Sequence, residues 1–478
     1  MTVTLVEAET RLGGKILTEH VDGFVIEGGP DSFLASKPRG VGLCRELGLE
    51  ATLHGPTPRR HRAFVWRSNL LHELPEGLTG LVPTRLQPVL RSRLIRGPGK
   101  VRFAADYLLP ARKDPSDEAL AAFMRRRLGR EVYDWLVEPL MAGIYAGDGD
   151  ELSLAATFPQ LRQAERNHGG LIRGITAQKE RAAQVSGGGP TRSPYLTPRD
   201  GLSAVITTIV TRLKAAGVEL RLGVPVIRVE RAHRGTAHPF RLHLAGDEVI
   251  PADGVVLATP AYETAEMVAS IDQPLAATLE EIPYASSAIV TLAYPRETVS
   301  HPLDGHGYLV PRAAKRPILA CTWTSRKWSD RAPAESVLLR VFLGRHGQDA
   351  VLAQPDDRLV ALAQAEIRQV LGIDSAPSLS RLHRWPRGMP QYTLGHLDRL
   401  ATIEQRLVLY PGLQLAGHAY RGVGLPDCIA GGERAALAVH RAVLVSLRET
   451  RSRPAAQPKR SDRAYTGGSS VVGEARPQ

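Results

Sequence analysis

Short apolar strands that run into acidic or glycine-rich turns, and then into amphipathic helices, predict an α/β (α+β) fold for this 478-residue chain. Three observations carry that prediction. Thr2–Ala8 (TVTLVEA) reads as a buried strand tipped by the acid Glu7. Residues 77–179 hold apolar side chains at helical period, and residues 285–345 read as strand-rich. A Rossmann-like strand unit, a helical segment and a strand-rich segment are thus expected in that order along the chain.

The acid-tipped strand fits one place in a dinucleotide-binding βαβ unit. There an acid takes the ribose hydroxyls about 20 residues after a glycine-rich phosphate loop. Only Met1 precedes the strand here. The first strand, the G-x-G-x-x-G turn and the helix that receives the pyrophosphate are therefore expected to be missing. The coding frame just upstream is expected to supply them within about 30–40 residues.

The following elements each have a local cause. Pro38 suits a first helical turn, and Val41, Cys44 and Leu47 share a face before Gly48 ends the helix. Arg62–Leu74 reads as a hairpin turning at Ser68-Asn69 and closed by Pro75. Asp114-Pro115-x-Asp117 predicts an N-cap, a first-turn proline and an N3 acid. The stripes Leu120, Phe123, Met124, Leu128 and Val132, Trp135, Leu136, Leu140 then form helical core. Ser186–Pro190 (SGGGP) is a linker, Gly201–Ala216 a helix and Val218–Glu230 two short strands. Val255–Leu257 and Leu413–Ala416 are buried strands, 355–371 is a helix, and a small-residue helix runs from Pro426 to Leu447. From Glu449 the tail is rich in Pro, Ser, Gly and Arg and is expected to be disordered.

Composition narrows the class. An apolar content of 43% supports a globular protein, and no run approaches the ~20 apolar residues of a membrane span or forms a signal peptide. The three cysteines, Cys44, Cys321 and Cys428, lie far apart with no C-x-x-C, which fits a reducing, cytoplasmic setting without zinc or a disulfide framework. The net charge of +12 describes a solvated basic surface or a basic face for anionic partners. No nucleic-acid module accompanies it, so nucleic acid is not an expected partner.

Three segments carry chemistry. Arg11-Leu12-Gly13-Gly14-Lys15 follows the acid-tipped strand, where glycines let backbone approach a ligand and Lys15 can reach a diphosphate. Glu27-Gly28-Gly29-Pro30-Asp31-Ser32 is a second backbone-rich turn of the kind that lies along a flat ring. The run from Leu415 through Gly417-His418-Ala419-Tyr420-Arg421-Gly422-Val423-Gly424 to Ala436 joins a strand, a glycine-rich loop and a helix N-terminus. Free N–H groups and a positive dipole end there suit the electron-rich part of a flavin.

Together VTLVEA, RLGGK, EGGPDSFLASKP, EPLMAGIYAGD, CTWTSRKW, RWPRGMPQY and LAGHAYRGVGLPDC resemble the FAD-dependent porphyrinogen oxidases of haem synthesis, over residues 2 to about 447. The likeness is strongest to the bacterial branch similar to coproporphyrinogen III oxidase, sister to protoporphyrinogen IX oxidase. It implies the fold of the flavin amine oxidase superfamily. An FAD-binding domain would comprise 1–60, 196–265 and 400–448, and a substrate domain 61–76 and 266–399. A helical domain would span 77–195, with 449–478 as the tail. By matched position, Glu7 and Ala8 would meet the adenosine ribose, Lys15 the phosphates and Val226 the adenine. Gly29, Pro30, Asp31 and Ser32 would line the ribityl and ring region, and Trp385, Val423, Gly424 and Leu425 would complete the flavin site. Gly143 and Ile144 would form one substrate wall, and Gly307, Leu309 and Phe342 the other.

The resemblance also implies the reaction: hydride removal from meso carbons to flavin, repeated three times, with oxygen reoxidising the flavin to give hydrogen peroxide. No catalytic acid, base or nucleophile is implied, and His346 and His418 read as satisfied or surface histidines. A mitochondrial-type arginine before the hairpin Phe is Ala63 here, with Arg62 beside it. The substrate's propionates would therefore meet other cations. The partners implied are porphyrinogen, oxygen, the next haem-pathway enzyme and a peripheral membrane contact. Two alternatives stand beside this: an amine oxidase or carotenoid desaturase, and a flavin-free porphyrin-binding remnant. An amine oxidase usually needs an aromatic cage, and aromatics here are 5%. Without its phosphate loop the chain is expected to be unstable and poor in flavin.

Overall fold

The computed structural model describes residues 2–57, 62–185, 193–232, 236 and 238–452. Its largest element is a seven-stranded mixed sheet. In spatial order its strands are Leu379–Pro390, Tyr284–Pro295, Ser336–Leu343, Ile318–Trp323, Gly307–Leu309, Phe64–Arg67 and Leu70–Glu73. All neighbours are antiparallel except Gly307–Leu309 with Phe64–Arg67. The expected hairpin closes this sheet at one edge. Ser68 and Asn69 both take positive φ (51° and 62°), the pair of left-handed residues that matches strand twist in a two-residue turn.

Alternation along the strands gives the sheet two different faces. Val290, Leu292 and Tyr294 of one strand and Val337, Leu339 and Val341 of its neighbour are buried together with Leu359, Ala363 and Ile367. Helix Asp356–Leu371 thus covers the rear face. Ala293 and Leu338 point the other way and pack with Phe24 and Ile26 of the hairpin Thr18–Val21/Phe24–Glu27.

The expected Rossmann-like portion consists of two parallel strand pairs among the described residues. Thr4–Glu7 pairs with Glu219–Leu222, and Val255–Leu257 with Leu413–Leu415. Thr4–Glu7 is half-buried along its whole length rather than buried, because only one strand flanks it among the described residues. The helix after Leu413–Leu415 begins at Leu425 and continues to Ser452, past the expected start of the tail at Glu449. The SGGGP linker and the rest of the tail lie outside the described residues.

The 77–185 segment is helical apart from a short ribbon, Leu78–Thr79 with Val82–Pro83. The expected stripes form its core, but not on one continuous helix. Helix Leu120–Leu128 stops at Gly129 (φ 89°), and the chain resumes through a wide π turn, Tyr133–Val137, into helix Glu138–Tyr145. The expected N-cap at Asp114 is not formed, since the helix starts at Leu120 after Ala119. Asp114 instead accepts the Ser116 N–H at 2.8 Å in a local turn. Asp117 accepts the Ala155 N–H at 3.1 Å, tying the start of helix Leu154–Thr157. Within this layer Arg127 is fully buried; its Nε donates to Asp106 at 2.6 Å, and Glu165 lies 3.4 Å from Nη1.

Removing one partner of a buried charge network costs far more than its net worth, because the others remain desolvated. Arg127→Leu is therefore expected to lower stability by about 3–5 kcal/mol in urea unfolding. A loss under about 1 kcal/mol would show that Asp106 and Glu165 find other partners or water.

Candidate functional site

The front face of the sheet gathers several expected residues in register. Leu309 pairs with Ala320, and Ala320 with Phe342, so Leu309 and Phe342 flank one small residue. Phe342 pairs with Ile289, and Ile289 with His383, two residues before Trp385. By strand period, Leu309, Phe342, Arg340, His383 and Trp385 share this face.

That face grips the Glu27–Ser32 turn. Trp385 Nε1 donates to the Gly28 carbonyl at 2.7 Å, and Arg340 Nη2 donates to the Gly29 carbonyl at 2.5 Å. The Gly28 N–H donates to Leu17 O at 2.7 Å. No side chain fits here. A Cβ on Gly29 would stand 1.9 Å from the Lys15 carbonyl oxygen, and one on Gly28 would stand 2.7 Å from the His383 ring. The Gly28–Gly29 pair is therefore stacked on the Lys15–Leu17 backbone that follows the first glycine pair.

Asp31 stabilises the turn from within. Lys327 Nζ donates to its carboxylate at 2.8 and 3.1 Å, Trp328 Nε1 at 3.2 Å, and Ser32 Oγ at 2.7 Å. Burial alone would raise this carboxyl, but Lys327 and Arg340 outweigh it and hold it well below the usual carboxylate range. Its side chain is thus consumed by the CTWTSRKW segment, leaving backbone and the exposed Pro30 to face a ligand. Glu27 behaves oppositely: burial raises it, and it accepts from Thr18 Oγ1 at 2.7 Å and the Leu202 N–H at 2.8 Å.

Lys15 is half-buried and makes no ion pair among the described residues. Burial lowers its pKa, with Cys428 opposing. An ammonium without a counter-ion beside glycine backbone is suited to an anionic ligand. His418 lies close by. Burial and the charge of Lys15 bring its pKa down to about 4, so the ring is neutral, and Nε2 donates to Gly388 O at 3.2 Å.

At the other end the turn before Val226 meets the tip of the first strand, since the Val224 N–H donates to Glu7 O at 3.0 Å and the Gly223 N–H to Glu9 O at 2.9 Å. Glu7 accepts the Glu9 N–H at 2.9 Å, and Ala8 is exposed. Val423 and Leu309 both pack against the helical core, and a Cβ on Gly143 would lie 3.7 Å from Leu309. Gly143 and Ile144 are exposed on the last turn of helix Glu138–Tyr145. The 417–424 loop, the end of helix Glu138–Tyr145 and the sheet face therefore converge. Gly424 lies beside Asp427, while Leu425 sends its side chain into the Phe33–Cys44 cluster. Gly307 is explained by strand packing, as its Cβ would meet Cys321 O at 2.2 Å. Arg62 is occupied by Glu73 (3.1 Å) and Asp304 (3.3 Å). His346 bonds Glu151 at 2.9 Å.

Sequence reasoning missed the residues that hold this site together. Arg340, Lys327 and Trp328 secure the turn. Buried Glu138 receives the Arg312 N–H at 2.9 Å and Arg345 Nη1 at 3.2 Å, fixing helix Glu138–Tyr145 to the sheet. The signal was present, because CTWTSRKW and EPLMAGIYAGD contain Lys327, Trp328 and Glu138, but their partners lie far away in sequence.

A backbone cradle without room for side chains, a lone cation beside it and a neighbouring apolar wall define a cofactor-dependent oxidoreductase of flavoprotein type. The flavin containing amine oxidoreductase family matches residues 1–440, and the chain belongs to that family. The coproporphyrinogen III oxidase of Bacillus subtilis is 35% identical over 91% of this chain and 91% of its own length. That of Propionibacterium freudenreichii is 35% identical over 96% of this chain and 90% of its own. A solved structure from Exiguobacterium sp. 255-15, provisionally described as a protoporphyrinogen oxidase, superposes with a TM-score of 0.79 at 32% identity, covering 94% of this chain and 93% of its own. The expected family, fold and flavin cofactor are borne out.

Gly29→Ala is expected to abolish flavin retention, read as absorbance per protein after desalting, because Lys15 O cannot withdraw without opening the cradle. Undiminished flavin content would place the ligand elsewhere. Asp31→Asn probes the charge. A depressed folded pKa gives stability that is full above the unfolded value of about 3.9 and is lost as pH falls towards the folded value. The variant should therefore be less stable by about 3 kcal/mol at pH 7, with the gap closing below about pH 4. A gap that persists unchanged into acid would show the carboxylate's charge to be irrelevant.

Proposed function

We propose that the chain oxidises coproporphyrinogen III to coproporphyrin III with FAD and molecular oxygen, one oxygen being reduced to hydrogen peroxide for each electron pair removed. The observation that carries this reading is the apolar row Leu309–Ala320–Phe342, on the same face as Trp385 and opposite Gly143 and Ile144. Leu309 and the end of helix Glu138–Tyr145 together give an apolar surface against which a macrocycle would lie, and the cation-rich chain suits its carboxylates. The names of the two bacterial relatives support the same substrate.

Glu7, Ala8 and Val226 would hold the adenosine end and Lys15 the diphosphate. The backbone from Gly29 to Ser32, with Trp385, Val423, Gly424 and Leu425, would hold the ring region. FAD held there would supply a hydride acceptor that oxygen can reoxidise. The chain's own residues bind and orient: Arg340 and Trp385 fix the turn, and Leu309 and Phe342 exclude water. His418 is neutral with its Nε2 proton committed to Gly388 O, so it donates no charge. In domain terms, 1–60, 196–265 and 400–448 would bind FAD, 61–76 with 266–399 would bind substrate, and 77–195 would flank them.

No helix among the described residues is long and apolar enough to cross a membrane. A cytoplasmic site with peripheral membrane contact, and handover to the next haem-pathway enzyme, completes the proposal. Exposed Leu90 (45%), Val101 (75%) and Leu108 (87%) stand among Arg91, Arg93, Arg96 and Lys100, a mix suited to an anionic bilayer surface.

FAD-loaded protein should be yellow and should oxidise coproporphyrinogen III with a kcat/KM at least equal to that for protoporphyrinogen IX. Each charged contact to the two extra carboxylates can contribute about 1.5–3 kcal/mol when hydrogen-bonded. A preference of about tenfold for protoporphyrinogen IX, equal to about 1.4 kcal/mol, would reassign the substrate. Protein that stays colourless after incubation with FAD would favour the porphyrin-binding remnant.

A further inference from the structure

We propose that Tyr392, with Gln391 and His396, is a positioning device that locks the glycine-rich flavin loop to the substrate wall. The proposal deepens the flavin reading above and rests on it. The segment lies just past the end of strand Leu379–Pro390; the Tyr392 ring packs in the helical core, 6.1 Å from the Tyr145 ring, and its polar atoms work through backbone groups of its neighbours.

Three backbone groups of the loop 417–424 are held from this one short segment. Tyr392 Oη donates to His418 O at 2.7 Å and accepts the Gly422 N–H at 2.8 Å. His396 lies with Nε2 at 3.0 Å from Tyr420 O. Burial brings the His396 pKa down to about 4, so the ring is neutral, and a carbonyl partner requires the proton on Nε2. The two rings stack at 4.0 Å with an interplanar angle of 11°, which fixes the spacing between their polar ends.

The same segment holds the substrate wall. Gln391 is buried, and its Nε2 donates to Tyr145 O at 2.9 Å, at the last residue of the helix bearing Gly143 and Ile144. Its backbone N–H donates to Pro283 O at 2.8 Å, and the Ser153 N–H donates to Tyr392 O at 2.8 Å. Two adjacent residues thus bridge the wall and the loop. Without them, Gly422 and Gly417, both at positive φ, leave the loop free to change its course. Loop and wall would then move independently, and a ring held by one would lose its alignment with a macrocycle held by the other.

Tyr392→Phe removes only the oxygen, and hydrogen exchange of the whole chain reads the result with or without flavin. Amides of 417–424 should exchange at least about tenfold faster, because both hydrogen bonds of the Tyr392 hydroxyl are lost, while core strands such as Ser336–Leu343 remain as protected as before. In FAD-loaded protein kcat should fall at least about tenfold with KM changed less than about threefold, the split expected when alignment rather than binding is lost. His396→Gln, whose amide can still donate to Tyr420 O, should retain protection that His396→Leu loses. Unchanged exchange at 417–424 in Tyr392→Phe, or a uniform rise across the chain, would overturn the proposal. If Tyr392→Phe does not fold, equal exchange in the two His396 variants overturns it and a difference between them supports it. Exchange does not depend on substrate, so failure to oxidise either porphyrinogen would count against the proposed function alone.

Discussion

The Gly28–Gly29 turn is held to the mixed sheet by two donors, Trp385 Nε1 and Arg340 Nη2, and the rest of the site depends on that junction. It brings an α/β portion and a separate sheet together through backbone carbonyls, which are placed by the chain's course rather than by rotamers. Arg340 is fully buried, and burial lowers its pKa while Asp31 and Glu27 oppose. A guanidinium so placed is tolerated only because carbonyl and carboxylate partners meet it. Removing water strengthens those interactions and makes any unpaired member costly. The network therefore specifies one arrangement more than it adds net stability.

From that junction the sheet divides its work between two faces. The rear face is ordinary apolar packing under helix Asp356–Leu371. The front face carries a cation, aromatics and small residues that would be poor core by themselves. Period-two alternation lets one strand serve both: Val341 is core while Arg340 and Phe342 flank it on the other side. Arg340 also lies 5.1 Å over the Phe342 ring, so the turn's anchor and the proposed substrate wall touch.

Much of this was legible in the sequence where the cause was local. The Ser68-Asn69 hairpin, the Pro38 helix and the strands Val255–Leu257 and Leu413–Leu415 follow from turn chemistry, capping and apolar runs. The 120–140 stripes identified core residues, with Trp135 and Leu140 only partly buried at its margin, but not the break at Gly129, which a periodicity argument passes over. Asp114 and Asp117 looked like a cap because the motif is local, whereas Asp117 serves a helix more than thirty residues on. The glycine pairs were expected to bring backbone close to a ligand, but the packing of Gly29 against the Lys15 carbonyl was not foreseen. The Asp31 carboxylate, expected near the cofactor, is spent on Lys327 and Trp328 nearly 300 residues away. Pairings at that separation leave no spacing to read.

Strand Leu379–Pro390 shows why the least legible element holds so much of the site. Its residues, LSRLHRWPRGMP, are charged and broken by Pro386 and Gly388, so no strand pattern is visible. Against its neighbour, Ser287 faces Trp385 and Ala285 faces Met389, which leaves Pro386, Arg387 and Gly388 opposite Ser286 alone. Arg387 takes φ 47°, a strained value for a residue with a Cβ, and its N–H donates to Ser286 Oγ at 3.0 Å. The bulge turns the strand, so Trp385 reaches Gly28 while Gly388 lies against Lys15 Cε, 3.5 Å from where its Cβ would be. A regular strand would satisfy local propensity and would aim these residues elsewhere. Local propensity is overridden here because three separated segments, at Lys15, Gly28 and His418, all take their positions from this one irregular stretch.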